Sequence, residues 1–206
     1  MTKYEFTGET KVFLGVTMHR IRAVAKLVFP SGRVVNVGDI GGWIEKEDNL
    51  DHYGNAWVYG DAKVCGNAKV YGNAWVYGDA KVYGNAWVYG DAKVYGNACV
   101  YGDAKVYGNA KVYGDAKVCG NADVSKSTHL LQIGAVGSRD SFITFFRTKD
   151  KDIKVRCGCF YGTIKAFIVK VKDTHGESRH ANVYQKAAEL AVAQIEDVDE
   201  KEGTQE

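Results

Sequence analysis

The chain has 206 residues, 46% of them hydrophobic, enough for one or two domains with real cores. Its formal net charge is only +2, and its five cysteines are odd in number and scattered, which argues against a disulfide framework and fits a reducing cytosol. No apolar run reaches the roughly 18 residues of a membrane helix, and "MTKYEFTGETK" lacks the apolar stretch of a secretory signal, so neither a membrane span nor export is expected.

Residues 1–52 predict short strands. "KYEFTGETKVF", "HRIRAVAKLVF" and "RVVNV" alternate apolar with polar residues, and "PSG" between the last two is a turn. "GDIGGWIEKEDNL" then leads into the segment that follows, with Gly41, Gly42 and Trp43 expected to lay a ring over its first layer. The segment reads as an N-terminal β cap.

Residues 53–124 are twelve hexads without a break, each aromatic-Gly-Asn/Asp-Ala-x-Val save that Cys65 and Cys119 take the aromatic position. A fixed short period means a solenoid. Ala-x-Val-x alternates as a strand with one buried face does, and Gly-Asn or Gly-Asp tolerates positive φ at a corner. The pattern V-x-G-[ND]-A-x resembles the hexapeptide-repeat, left-handed parallel β-helix family. That resemblance implies three hexads per triangular coil of 18 residues, hence about four coils and a prism of about 19 Å at ~4.8 Å per strand. A two-sided solenoid of twelve residues per coil is the rival reading, because the sequence also repeats at twelve.

An 18-residue phase stacks the outward residues in columns. The first face carries Trp57, Trp75, Lys93 and Lys111 beside Tyr59, Tyr77, Tyr95 and Tyr113. The second carries Lys63, Lys81, Cys99 and Lys117, and the third Lys69, Trp87, Lys105 and Asp123. Tyrosine ladders of this kind stabilise a thin Ala/Val core. Alternatively, Trp57, Tyr59, Trp75, Tyr77 and Tyr95 form an oligomer or partner interface, since contiguous exposed aromatics mark contact sites. Members of the hexapeptide-repeat family are commonly trimers, so the resemblance implies a homo-oligomer, with a trimer favoured.

The same resemblance raises acyltransferases, which typically use a catalytic His near the helix, and γ-type carbonic anhydrases, which bind their metal with three His from neighbouring coils. The five His of this chain are His19, His52, His129, His175 and His180, and none lies in 53–124. No enzyme, no cofactor and no metal are therefore expected. Nor does the repeat mimic DNA, because its seven Lys balance six Asp.

Residues 125–195 are a different kind of segment. "LLQIGAVGS", "SFITFFRTK" and "IKVRCGCFYG" predict three strands. "TIKAFIVKVKDTHG" predicts a helix with Ile164, Phe167, Ile168 and Val171 on one face and Gly176 at its end. "SRHANVYQKAAELAVAQIE" predicts a second, with Tyr184, Ala187, Ala188, Ala191 and Ile195 on one face. The segment reads as a small α+β module with its own core. It holds 12 Lys and Arg against 6 Asp and Glu, a local charge of about +6. Residues 196–206 hold six acids and one Lys and read as a disordered acidic tail.

The order "KYEFTGET…HRIRA…GGWIEKEDNL", Gly-Asn-Ala repeats, then "GSRDSFITFFRTKD…VRCGCFYGT…DTHG…HA" resembles bacteriophage and prophage proteins often labelled transferases from the repeat alone. The resemblance covers nearly the whole chain. It implies viral origin and action in the host bacterial cytoplasm.

The chemistry is expected in the module. Arginine forks bind phosphate, and aromatics such as Phe142, Phe145 and Tyr161 offer stacking to a base. The predicted ligand-binding set is Ser138, Arg139, Thr144, Arg147, Lys149, Lys151, Arg156, His175 and His180. A weaker pattern places Cys157 and Cys159 on one side of a strand near His175 and His180, without the usual zinc spacing. The function expected is a non-enzymatic phage accessory protein that counters host defence by sequestering a nucleotide-type signal or another anionic ligand. Alternatives are direct inhibition of a host defence protein, a phage structural role, and a hexapeptide acyltransferase.

Overall fold

The computed structural model describes residues 2–137 and 140–200, the side chains of 196–200 excepted. The chain opens with a long hairpin, β1 (Tyr4–Phe13) and β2 (Val16–Ala23), then a short one, β3 (Leu27–Val28) and β4 (Val34–Val35), then β5 (Ile40–Ile44). The twelve hexads follow as twelve two-residue strands, β6 to β17, from Trp57–Val58 to Asp123–Val124. The module comprises β18 (Leu130–Val136), β19 (Ser141–Arg147), β20 (Ile153–Cys157), β21 (Phe160–Thr163), α1 (Ile164–His175) and α2 (Arg179–Glu200).

The repeat stacks with an 18-residue period: Trp57 pairs with Trp75, Lys81 with Cys99 and Trp87 with Lys105, all parallel. The solenoid is therefore three-sided, and the twelve-residue rival is excluded. Its interior is Ala and Val throughout, from Ala56 and Val58 to Val124, nearly all fully buried. A buried Val contributes ~1.5–3 kcal/mol over an exposed one, so a column of small residues supports the stack. The hexad holds only two strand residues because its glycine turns the corner. The corner glycines from Gly54 to Gly120 have φ between 58° and 71°.

About five levels stack rather than four, because the predicted cap supplies the first. β5 pairs in parallel with the Lys63–Val64 strand, and Leu50 bridges to Val70. Ile44 lies opposite Val64 and Leu50 opposite Val70, a step of 20 residues, whereas Trp57 lies opposite Trp75, a step of 18. The two extra residues fall in the corner between Leu50 and Trp57. There the His52 ring stacks on Tyr4 at 4.3 Å and its Nδ1 accepts from the Lys3 backbone N–H at 3.3 Å.

Trp43 does not cover the first layer as expected. It faces outward on β5, in register with Lys63, and packs with Met18 and Cys65 beneath the long hairpin. Its indole N–H donates to Asp61 at 3.2 Å, and the Lys11 amine sits 3.9 Å from its ring. β2 pairs with β5, so the long hairpin extends the second solenoid face. "HRIRAVAKLVF" is two strands, not one: the chain leaves the sheet after Ala23 and folds β3 and β4 across the first face.

That fold corrects the interface expectation for Trp57 and Trp75. Trp57 is fully buried and Trp75 is 7% exposed. Phe29, just past β3, stacks on Trp75 at 4.5 Å, and Arg33 lies 4.3 Å from the same ring. Leu27, Phe29 and Val35 join the solenoid core. The chain thus buries its own aromatic patch, the cheapest partner being the one already tethered.

At the other end the module is a lid. A 3-10 turn at Ser127–His129 delivers Leu130 into the solenoid core, just as the turn at Glu47–Asn49 delivers Leu50. β19 then crosses the last coil. Phe146 joins the solenoid core while Ile143 and Phe145 join the core under α1 and α2, so alternation on one strand serves two cores. Both predicted helical faces are the buried ones. The third predicted strand is instead the hairpin β20–β21, turning at Gly158 with φ 56°. α2 runs on to Glu200, into the segment expected to be the acidic tail; 201–206 lie outside the described residues.

Candidate functional site

The module's sheet, in order β18-β19-β20-β21, has one face on the solenoid and one beneath the helices. This separates the predicted basic set. Thr144 lies opposite Arg156, and Arg147 lies opposite Ile153, three residues earlier on β20. An odd separation along a strand reverses the side-chain direction, so Arg147 and Arg156 project to opposite faces and share no pocket.

Nor are these residues free for a ligand. Thr144 is 2% exposed, and its hydroxyl accepts from the Lys117 backbone N–H at 3.1 Å, tying the lid to the last coil. Arg147 is buried at 9% exposure beside the helix-facing core. Arg156 Nη1 donates to the carbonyls of Cys159 at 3.1 Å and Phe160 at 3.4 Å, bracing the β20–β21 turn. Its charge also reaches Cys119, but burial is the larger effect and holds that thiol above its ordinary pKa. Lys149 and Lys151 are exposed in the β19–β20 turn, where the Lys149 N–H donates to the Asn121 carbonyl at 3.1 Å. Ser138 and Arg139 lie outside the described residues.

What the fold does bring together is the end of α1, Tyr184 of α2 and the β20–β21 turn. They enclose a cavity of about 180 Å³, lined by Cys157, Phe160, Phe167, Lys170, His175 and Tyr184 among others. Local rules place these groups. The Thr163 hydroxyl accepts from the Ala166 N–H at 3.2 Å and starts α1, and Gly176 ends it at positive φ. Phe167 meets Tyr184 edge-on at 5.7 Å, and His175 lies 5.5 Å from Tyr184 and 6.2 Å from His180. The result is an aromatic slot edged by an imidazole and an amine, suited to a flat ring carrying negative charge. Ser141 is also on the lining.

Cys157 and Cys159 both line this cavity, but from the end of a strand and from a turn, not from one side of a strand. Among the described residues no group of three His, Cys, Asp or Glu could hold a metal ion. Lys170 was missed by the sequence reading, and Phe167 and Tyr184 were read only as core. No spacing rule marks a lysine on an exposed helical face as the edge of a pocket formed with the strand turn that precedes the helix.

On the solenoid, Tyr77 and Tyr95 stack at 4.8 Å and Tyr59 is 51% exposed. The partly open tryptophan is Trp87 of the third face, at 39%. Among the described residues no helix is long and apolar enough to cross a membrane.

No curated protein matches the chain. A family model described as YdcK Beta solenoid repeat matches residues 62–78, about one coil. That match and the stacking of the hexads agree, and the chain is a β-solenoid repeat protein.

Proposed function

We propose that this is a non-enzymatic accessory protein of phage origin that binds and sequesters a nucleotide-type signal or another anionic ligand in the host bacterial cytoplasm, on an oligomeric, trimeric scaffold. The observation that supports it is the aromatic cavity at the end of α1, with Lys170 and His175 at its edge. At about 180 Å³ it suits a base or a comparable ring, with the charged part of the ligand left at the rim. The terminal motifs support phage origin, and the local excess of Lys and Arg favours an anion.

Native mass spectrometry of the chain purified from bacterial cells, with and without an added nucleotide pool, tests this reading. We expect an oligomer carrying a small anionic mass. Lys170→Glu, on an exposed helical position, should strip that mass and leave the oligomer intact. An oligomer that stays empty, or one whose bound mass survives the substitution, overturns the site.

A second reading, direct inhibition of a host defence protein, draws on Trp87. It is half-open on the third face, edge-on to Tyr71 at 6.1 Å, with the Lys105 amine 5.6 Å from its ring. Trp57 and Trp75 no longer serve this reading, because both are buried. A specific host protein retained by the wild type and lost on Trp87→Glu would favour it over sequestration.

A further inference from the structure

We infer that the first solenoid face carries a second ligand site, for a small oxyanion of the phosphate or carboxylate class. It is separate from the cavity in the module, and the two stand or fall independently. The site is a cleft of about 410 Å³ between the loop after β3 and the outer face of the stack. Phe29 and Pro30 form its lip, Trp75 its floor, and Lys93 and Lys111 its wall.

Three observations converge there. Lys93 and Lys111 lie in register on neighbouring parallel strands, about 4.8 Å apart at the backbone. Like charges directly opposite each other oppose folding, and neither lysine forms an ion pair among the described residues. On the second face, by contrast, Lys63 Nζ donates to the Asp61 carbonyl at 2.7 Å, although burial and the nearby Lys11 still lower its pKa. The carboxylate of the cleft, Asp91, accepts from Asn73 Nδ2 at 3.1 Å.

The second observation is Trp75. It is nine-tenths buried and lines the cleft, and its indole N–H has no hydrogen-bond partner. A buried donor left unmade is costly, and an oxyanion oxygen reaching past the Phe29–Pro30 lip would satisfy it, the nitrogen itself being closed to solvent. The third is Arg33, whose guanidinium lies 4.3 Å from the Trp75 ring and adds positive potential beside it. Three cations, an orphan donor and an apolar lip together suit a compact anion with a small carbon body.

The full chain should be titrated by calorimetry at low salt with inorganic phosphate, methyl phosphate and malonate. These separate free phosphate, a phosphate ester and a carboxylate as sources. Saturable heat is expected with at least one, weakening as salt rises. Lys93→Ala/Lys111→Ala, both outward positions, should weaken it at least tenfold with the circular dichroism spectrum unchanged, and Lys111→Ala alone should give a smaller loss. Trp75→Phe keeps the stacking on Phe29 and should weaken binding a few-fold. No saturable heat with any of the three, or wild-type titration in the double variant, overturns the site. An unaltered Trp75→Phe overturns the role of the indole donor.

Discussion

Thiols show how far the fold separates residues of one type. Cys65 and Cys119 are each 4% exposed, and burial pushes the Cys65 thiol up to about 11, with Glu45 adding to the effect. Cys99 is raised for the same leading reason. Cys159 is exposed at the tip of the β20–β21 turn. Because the thiolate is the nucleophile, an alkylating reagent at neutral pH should modify Cys159 first and the solenoid thiols only on unfolding. Mass mapping of a time course checks this, and fast loss of Cys65 would contradict it. Lys3 makes a second residue-scale case. Only 3% exposed, it is lowered to about 8, with burial the main cause and Asp51 opposing it. Between pH 8 and 10.5 the unfolded chain binds a proton there that the folded chain does not, so stability climbs with pH across that window and is lower, and flat, beneath it. At pH 7 the penalty is about 3 kcal/mol. Lys3→Met should therefore raise Tm by several degrees at pH 7 and by much less at pH 10; an equal gain at both pH values would show that charge burial is not the cause.

At the scale of the element, each hexad is supported by ladders more than by its own two strand residues. Tyr71, Tyr89 and Tyr107 stack at 4.8 and 4.9 Å with rings within 3° of parallel, a spacing imposed by strand pairing. Asn67 Nδ2 donates to Asn85, and Asn85 Nδ2 to Asp103, along one corner. Removing the middle ring breaks two stacks, each worth ~0.5–1.5 kcal/mol. Tyr89→Ala should thus lower stability by ~1–3 kcal/mol, read as a shift in the urea midpoint. The corner glycines are less forgiving. A Cβ on Gly90, at φ 66°, would meet the Gly108 backbone N at 3.0 Å. Gly90→Ala combines that contact with the left-handed penalty of ~1–2 kcal/mol and should cost at least as much as the loss of the tyrosine. A neutral result would mean that the corner can relax without its neighbours. The hexad pattern and both helical faces were legible because their periods, two and 3.6, are local. The β20–β21 turn was not, since Gly158 within an apolar run reads equally as strand.

As a whole molecule the protein is a stack with both ends closed. Leu50 and the long hairpin close one end, and Leu130, Phe146 and Thr144 close the other. An open solenoid end would expose Ala and Val and unpaired backbone groups. A chain cut after Ser125 should therefore elute as aggregate in size-exclusion chromatography, where the full chain elutes as a discrete species. A discrete, folded fragment would show that the module is a passenger and not a lid.

By itself the sequence determined the solenoid, the Ala/Val interior, the glycine corners and the apolar faces of two helices, because each follows from a short period and from what a residue's own backbone tolerates. The tertiary structure alone decided which aromatic surface is open and which basic residues meet. Trp75 is covered by Phe29 from a hairpin far earlier in the chain, and Trp57 is buried beside Gly41 of β5. Arg147 and Arg156 are parted by the parity of one strand pairing, and Lys93 and Lys111 become neighbours only when coils stack. Burial and register depend on contacts between distant segments, and no local period carries that information.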